Sequence, residues 1–322
     1  MPRRLIATAS VAALVLLTAA CGEDGESASG ESESGGSDAL AGVEVSGKVG
    51  EGMDVTLDTP VESSEPQGEV LTAGEGAAVR ANEPTLMHLY IGNATSGEQA
   101  VNTYENGAPV QVSLSEDQLF GVVLDEVVGE NVGSRVAISA PASDVWGEQG
   151  APQLQISGED TVVFVADLVS GQPSEVVEGP EGEAVEPPAD APKVIEEDGA
   201  VTGFDWSDAP KQAPKKLTVI PLIKGDGPPA RDDSMVTFDY FGAVWGADEP
   251  FDESYSREPV PFGVGIGQLI PAWDKVIPDL TRGSRVMIIA PPGEAYGDQG
   301  TQGIPADSTL VFVVDVLGVD ES

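Results

Sequence analysis

The sequence predicts an α+β protein made of two tandem domains, each an antiparallel β-sheet wrapped around a short α-helix. The first observation is an internal repeat: a shift of 150 residues aligns the letters GSRV at 133–136 with the same letters at 283–286. A constant offset over this and several other blocks indicates duplication. The second is that each copy consists of short runs rich in β-branched residues between Gly and Pro turns, and the third is one amphipathic helix. A sheet around a helix buries the apolar faces of both.

The first twenty residues predict an export signal. Arg3 and Arg4 precede an apolar run at 5–17, and small residues then lead to Cys21, the only cysteine of the chain. The run is shorter than the about 20 residues of a membrane-spanning helix. Small residues directly before a cysteine resemble the lipobox of bacterial lipoproteins. We therefore expect residues 1–20 to be removed and lipidated Cys21 to hold the protein at the outer face of the cytoplasmic membrane or in the adjacent envelope; the alternative is a cleaved leader with an incidental thiol.

Two low-complexity segments divide the rest of the chain. Residues 22–39 consist only of Gly, Ser, Ala, Asp and Glu, which cannot bury enough apolar surface to fold, so 21–40 is predicted to be a lipidated, flexible acidic tether. Residues 171–200 contain five prolines and nine acidic residues beside one lysine, which predicts a semi-extended linker. The two domains are therefore expected at 41–170 and 201–322.

The charge of the chain excludes one class of partner. Lys and Arg number 15 against 55 Asp and Glu, for a formal net charge of −40. Such a chain repels phosphate backbones, so nucleic acid is excluded as a partner. With Cys21 in a lipid anchor no disulfide forms, and the fold must depend on its hydrophobic core.

The second copy carries the clearest secondary-structure signals. Strands are predicted at 235–241, at 285–289 and at 309–317. Pro271 suits the first turn of a helix, where a missing N–H costs no hydrogen bond. Trp273, Val276 and Ile277 follow at three- to four-residue spacing and form one apolar face. These patterns predict one short helix packed against a sheet.

A series of motifs in the second copy resembles the FKBP family of immunophilins. In order they are GDGP at 225–228, FDYFG at 238–242, FDES at 251–254, PF at 261–262, LIPAW at 269–273, AYG at 295–297, GIP at 303–305 and TLVF at 309–312. The resemblance covers residues 215 to 320, nearly a whole domain. It implies the FKBP fold and peptidyl-prolyl cis-trans isomerase activity.

The resemblance also implies a set of site residues. Trp273 would form the floor of a proline pocket and Asp252 its single buried carboxylate, and the full set is Tyr240, Phe251, Asp252, Phe262, Leu269, Ile270, Trp273, Tyr296, Ile304 and Phe312. Clients would be proline-containing polypeptides, and a macrolide of the tacrolimus or rapamycin type is a further implied ligand. Leu269 replaces a more usual valine and the loop at 301–304 is short, which affects peptide preference and macrolide affinity.

This reaction needs no nucleophile, metal or cofactor. Isomerisation of an X–Pro bond crosses a barrier of about 18–20 kcal/mol because amide resonance must be broken. The twisted amide is less polar than the planar one, so a dry aromatic pocket favours it. A thousandfold acceleration requires only about 4 kcal/mol of such preference.

The first copy has lost most of these side chains. At the position aligned with Tyr240 the first copy keeps a tyrosine, Tyr90. The other aligned positions carry different residues: Trp146 in place of Tyr296, Val101 in place of Phe251, Asn102 in place of Asp252, Val112 in place of Phe262 and Val123 in place of Trp273. Small apolar residues still fill buried places, whereas the aromatic cavity is gone. We expect an FKBP-like fold at 41–170 without isomerase activity; a pocket rebuilt from Phe120 and Trp146 is the alternative.

Three other side chains are interpreted without a role in the site. His88, the only histidine, has no partners for a metal site or a catalytic triad and is interpreted as structural. Tyr104 and Tyr255 are interpreted as loop or surface aromatics.

Two classes of function fit this organisation. The favoured one is an isomerase that assists the folding of newly exported proteins. The alternative is a non-catalytic chaperone or holdase in which both copies only bind extended client segments. Turnover of a short X–Pro peptide separates the two.

Overall fold

The computed structural model describes residues 40–320, all within one unit of contacts that extends over Gly35–Ser322. The predicted signal peptide, the lipidated Cys21 and the tether at 22–39 lie outside the described residues. Over 40–320, no helix has the length and apolar character needed to cross a membrane.

The first copy forms a six-stranded antiparallel sheet. Its order is β3 (Gln67–Thr72), β7 (Arg135–Pro141), β8 (Thr161–Ser170), β4 (Pro84–Asn93) and β5 (Glu98–Asn102), and β6 (Val110–Ser113) also pairs with β4. Helix α1 (Gly121–Val127) packs into the concave face through Val123 and Val127, both fully buried. A second short helix, α2 (Ala142–Trp146), follows β7.

The second copy repeats this arrangement. Its order is β14 (Pro250–Glu253), β13 (Met235–Val244), β17 (Leu310–Val319), β16 (Arg285–Ala290), β12 (Thr218–Lys224) and β9 (Glu183–Ala184), with β15 (Val260–Gly263) pairing with β13. Helix α3 (Pro271–Val276) begins at the predicted proline and buries Ala272 and Trp273. Short 3-10 turns occur at Thr103–Asn106, Pro152–Leu154 and Pro292–Glu294. The predicted α+β fold class, two tandem sheets each around a short helix, is confirmed.

Each copy also carries a hairpin on the outer, convex face of its sheet. The first hairpin pairs β1 (Val43–Ser46) with β2 (Asp54–Leu57), and the second pairs β10 (Lys193–Glu197) with β11 (Ala200–Asp205). Apolar residues of each hairpin bury against the sheet; in the second, Phe204 lies 5.6 Å from Phe241 between ring centroids. The repeating unit is therefore a hairpin plus a sheet, which the sequence alignment did not reveal.

The structure places the predicted linker on the second sheet. Within 171–200, β9 extends the edge of β12, and β10 begins a hairpin that continues past residue 200. The composition predicted a semi-extended linker because acidic and proline residues dominate it. Val194 and, just beyond the boundary, Val201 and Phe204 instead provide enough apolar surface to hold the segment on the sheet.

A buried ion pair recurs under each hairpin. Arg135 pairs with Asp167 at 2.6 Å in the first copy, and Arg285 pairs with Asp315 at 2.5 Å in the second. Removing one partner of such a pair leaves a buried charge and costs about 3–5 kcal/mol. Each arginine also reaches its hairpin, since Arg135 donates to carbonyls at 46, 47 and 52 and Arg285 pairs with Glu196. The arginine of the repeated GSRV segment thus ties hairpin to sheet.

Tyr104 and Tyr255 lie in turns between strands, as the loop interpretation expected, but their hydroxyls are not free at the surface. The Tyr104 hydroxyl donates to Asp167 at 2.6 Å, and the Tyr255 hydroxyl donates to Asp315 at 2.8 Å. Burial, together with the neighbouring carboxylate, raises the pKa of both hydroxyls. His88 is buried, and its ring stacks on Tyr104 with centroids 3.6 Å apart. This placement agrees with a structural role.

The two copies contact each other along β15 and the end of β8. The Gln111 side chain accepts from the Gly263 N–H at 2.9 Å and donates to the Pro261 carbonyl at 3.5 Å. The Ser170 hydroxyl donates to Asp320 at 2.6 Å and accepts from the Met235 N–H at 2.8 Å. The backbone on both sides of Phe262 is therefore held by the first copy.

Candidate functional site

An open cavity of about 430 Å³ lies between α3 and the concave face of the second sheet. Nine of the ten predicted site residues line it, namely Tyr240, Phe251, Asp252, Phe262, Leu269, Ile270, Trp273, Tyr296 and Phe312. Gln268, Pro271 and Ala295 complete the lining and were not predicted. Residues spread over more than 70 positions of sequence thus converge on one pocket.

Ile304 is the predicted residue that does not line the cavity. It is buried in the core of the second copy, and its N–H and carbonyl both bond to Thr301, at 2.9 and 3.0 Å. This small ladder closes the loop and turns the isoleucine side chain inward. Ile304 is therefore a core residue, packed in the same cluster as Trp273 and Phe312.

Aromatic rings enclose the floor of the cavity. Trp273 is only 6% exposed, and the rings of Tyr240 and Phe312 stand nearly perpendicular to it at 5.3 and 5.2 Å between centroids. Phe238 supports the indole from the core at 5.0 Å. Edge-to-face packing of this kind stabilises each pair by about 0.5–1.5 kcal/mol beyond burial. The floor is consequently a closely packed cluster of aromatic rings.

Gly242 allows two pocket walls to converge. A Cβ atom at this position would lie 2.8 Å from the Phe251 ring and 2.9 Å from the Phe312 ring. Such distances are too short for any side chain. The glycine of the FDYFG motif is therefore a packing requirement of the pocket, in which the Phe251 and Phe312 rings meet at 5.7 Å.

Asp252 lies at the rim, so the expectation of a buried carboxylate is corrected. Its side chain is 50% exposed, because β14 is the edge strand of the sheet. One carboxylate oxygen accepts from the Tyr240 hydroxyl, and the other pairs with Arg257 at 2.9 Å. Burial, followed by the bond to Asp252, raises the pKa of Tyr240 to about 12. The hydroxyl therefore stays protonated and remains a donor.

Arg257 and Asp274 are site residues that sequence reasoning missed. Arg257 forms an ion pair with Asp252. The feature of the sequence that could have indicated this pair is a basic residue five positions after the acid. Asp274, on α3, accepts from the N–H groups of Gly265 and Leu269 at 2.9 and 3.3 Å. These bonds hold the loop that carries Leu269 into the wall. The signal was an acid in the first turn of the helix.

A backbone donor lies beside the aromatic floor. Ile270 is the N-cap of α3, and its carbonyl accepts from the Trp273 N–H at 2.9 Å. Over 40–320, the Ile270 N–H itself has no hydrogen-bond partner. Together with the Tyr240 hydroxyl it supplies polar contacts at the edge of an apolar pocket, the arrangement that orients a ligand.

The corresponding surface of the first copy is filled by its own aromatic side chains. Phe120, at the N-cap of α1, contacts Trp146 at 5.2 Å and Phe164 at 5.6 Å between ring centroids. Trp146 and Phe164 lie 5.9 Å apart. Val123 occupies the place of the tryptophan floor and is fully buried. These three rings pack on one another where the second copy has its cavity.

The strand register corrects one aligned pair. The Tyr240 N–H donates to the Ser254 hydroxyl, and the Leu89 N–H donates in the same way to Thr103. Leu89 is thus the counterpart of Tyr240, and Tyr90 is not. Tyr90 is buried under the β1–β2 hairpin on the opposite face of the sheet. A slip of one residue in a strand exchanges the two faces.

The same slip applies to β5. Val101 is opposite Ile91 on β4, as Asp252 is opposite Gly242 on β13. The counterpart of Asp252 is therefore Val101, where the alignment had placed Asn102. Ala100 becomes the counterpart of Phe251. The first copy accordingly lacks a tyrosine, an acid and a wall aromatic at these three positions.

The fold and the pocket together define a class of protein: an antiparallel sheet around a short helix, with an open, aromatic-floored pocket between them. The family model described as "FKBP-type peptidyl-prolyl cis-trans isomerase" matches residues 227–317. An FK506-binding protein of Streptomyces anulatus is 36% identical over 111 residues, which are 34% of this chain and 90% of that protein. FK506-binding protein 1 of Debaryomyces hansenii is 40% identical over 111 residues, 34% of this chain and 98% of that protein.

Among solved structures, FkpA from Escherichia coli is 35% identical, with a TM-score of 0.30, and the match covers 32% of this chain and 48% of that one. On the sequence matches, this chain belongs to the family of FKBP-type peptidyl-prolyl cis-trans isomerases.

Proposed function

We propose that the second copy is the catalytic domain and that it isomerises X–Pro bonds in newly exported proteins. The observation that carries this proposal is the open cavity of about 430 Å³, large enough to admit a proline ring, whose floor is formed by the rings of Tyr240, Phe312 and Trp273. The family match at 227–317 supports the same domain.

Catalysis would follow from differential stabilisation of the twisted amide. The proline ring enters the aromatic pocket, while the Ile270 N–H and the Tyr240 hydroxyl hold the peptide at the rim. Loss of resonance makes the twisted amide less polar than the planar amide. Transfer from water into an apolar site therefore costs less free energy for the twisted state than for the planar state. About 4 kcal/mol of preference gives a thousandfold acceleration.

Asp252 would act through Tyr240 and through the client backbone. Its pairing with Arg257 orients the carboxylate at the rim. The proposal also includes a macrolide as a competing occupant, because two relatives are named FK506-binding proteins. Leu269 is larger than the valine more usual at this position, so it leaves less space in the pocket for such a ligand.

The first copy is proposed to be non-catalytic. Its rings at 120, 146 and 164 fill the place of the pocket, and Leu89 and Val101 replace the polar rim. Export and a lipid anchor at Cys21 are part of the proposal and rest on the sequence pattern alone.

The test measures, by exchange spectroscopy, how fast the full chain isomerises a short X–Pro peptide. A second assay measures whether the same chain suppresses the aggregation of an unfolded protein. An isomerase turns the peptide over at catalytic concentration. A chain that suppresses aggregation without turnover would be the alternative holdase.

A further inference from the structure

A segment of the chain lies as an extended strap across the second copy. The strap, residues 176–185, bridges Gly318 and adds β9 to the edge of β12. Its backbone donates to three carbonyls of the second copy: Val177 to Leu317 at 2.9 Å, Glu181 to Gly283 at 2.9 Å and Val185 to Leu222 at 2.8 Å. The second copy thus has a groove that binds an extended backbone.

The first copy has the same groove. Gly133 and Gly283 are counterparts, because each donates its N–H at 2.7 Å to the last strand of its sheet. By the same register, the carbonyls of Leu71, Gly133 and Val169 correspond to the three acceptors under the strap. Within 40–320, no loop or turn donates to any of these three carbonyls.

Open space follows these acceptors. Two adjoining cavities of about 680 and 520 Å³ share Val49 and Gly133 in their linings. Thr72 lines one of them and Val169 the other. In the second copy the strap runs across the corresponding carbonyls.

The charge of the two grooves differs in sign. In the second copy, Arg282 pairs at 2.6 Å with Glu175, which directly precedes the strap, and the strap itself carries three glutamates. The counterpart of Arg282 is Val132, and that of Lys224 is Ala73, so the basic residues are gone. The two cavities are lined instead by four acids, Glu51 and Glu75 of the first copy and Asp232 and Asp233 of the second. Two basic residues, Arg231 and Lys48, also line them, and Lys48 pairs with Glu51, so the acids remain in excess.

We propose that this groove of the first copy binds an extended polypeptide segment that combines β-branched apolar residues with basic residues. Binding would use the backbone pairing that the strap makes, which is strand addition to the edge of a sheet. The acidic lining selects basic segments by charge complementarity. This site is separate from the isomerase pocket and does not require proline.

The probe is a peptide derived from the strap. Its sequence is Val-Val-Lys-Gly-Gly-Lys-Gly-Lys-Ala-Val, in which lysines replace the three glutamates of residues 176–185 and glycine replaces Pro180. The matched peptide keeps the glutamates. Fluorescence anisotropy on the full chain measures affinity, and amide shifts of the labelled protein locate the site. We expect the basic peptide to bind, with shifts at 71–76 and 132–133, and the acidic peptide to bind more weakly.

Charge variants at two edges of one sheet complete the test. Glu75→Lys should weaken the basic peptide about fivefold, as expected for reversal of an exposed charge near a cation. Glu98→Lys makes the same charge change on β5 at the opposite edge and should leave the affinity unchanged. Equal binding of both peptides, equal effects of both variants, or shifts confined to the second copy would overturn the proposal. Binding that requires removal of residues 22–39 would also overturn it, because the chain itself would then be the occupant.

Discussion

At the residue scale, the pocket rim depends on one small network. Asp252 accepts from Tyr240 and pairs with Arg257, and all three are within reach of solvent. Their contribution to stability is small, since exposed ion pairs contribute about 0–1 kcal/mol. In the proposed function these three residues contact the client, because they place a hydroxyl and a carboxylate at the edge of the cavity.

Asp252→Val is expected to lower kcat/KM for an X–Pro peptide by about tenfold, since a hydrogen bond to a charged group contributes about 1.5–3 kcal/mol. Asp252→Asn keeps the shape and one acceptor, and should lose less. Isomerisation rates of both variants, with circular dichroism to check folding, decide the matter. Full activity in a folded Asp252→Val variant would show that the carboxylate has no role in the reaction.

Tyrosine ionisation provides a second prediction at this scale. Burial is the largest cause of a raised pKa for each of the five tyrosines, which are Tyr90, Tyr104, Tyr240, Tyr255 and Tyr296. A raised pKa in the folded state adds stability below pH 10, and this stability is lost as the pH rises through the folded values.

Ultraviolet titration of tyrosinate measures this directly. At pH 10 the native protein should show well under half of the ionisation of the urea-unfolded chain. Native and unfolded curves that coincide would contradict the burial of these hydroxyls.

Residue identities in the pocket were predictable, and strand register was not. Motifs such as LIPAW place side chains on one loop and helix, where spacing determines position. Tyr90 and Asn102 were misaligned because the first copy has one more residue than the second between Thr103 and Val112, so the offset of 150 that fits the later strands does not fit β4 and β5. Both strands also contain apolar residues on each face, so the pattern did not reveal the slip. The exposure of Asp252 required knowledge that β14 is an edge strand.

At the element scale, the hairpins explain why the convex faces of both sheets are apolar. Val163 and Val165 of β8, and Val311 and Val313 of β17, would face water without them. The sheets and helix were predictable because strong runs of β-branched residues alternate with Gly and Pro. The β10–β11 hairpin was not, since its apolar residues are few and lie within an acidic, proline-rich segment.

Phe204→Ala should therefore lower the free energy of unfolding by about 3–5 kcal/mol, the usual cost of truncating a buried phenylalanine. Ile195→Ala, on the same hairpin but 44% exposed, should cost less than about 1 kcal/mol. Urea unfolding followed by circular dichroism gives both values. Equal effects would mean that the hairpin does not cover the sheet as described.

At the scale of the whole molecule, contacts between the copies limit their independence. Gln111 and Ser170 bond to the backbone of the second copy, and Leu86 packs with Met235 in a shared cluster. A flexible linker would have raised the effective concentration of one domain near the other. In the structure, direct contacts between the copies instead fix the position of the first copy's groove relative to the pocket of the second copy.

Cys21→Ser is expected to release the protein into the medium, because a diacylglyceryl anchor supplies two chains, which suffice for stable membrane attachment. Fractionation of cells into membrane and medium, with a high-salt wash, measures this. Retention of the variant on washed membranes would contradict the anchor.

The most direct test of a catalytic second copy beside a non-catalytic first copy compares one matched pair of truncations. Phe312 and Phe164 occupy the same position in the two copies, opposite Gly242 and Ile91, and both are buried. Phe312→Ala and Phe164→Ala should therefore cost similar stability, about 3–5 kcal/mol, and both must be verified as folded. The measurement is proline-peptide isomerisation by the full chain. We expect at least a tenfold loss for Phe312→Ala and no loss for Phe164→Ala; an equal loss in both, or a loss confined to Phe164→Ala, would show that the second copy is not the catalytic domain.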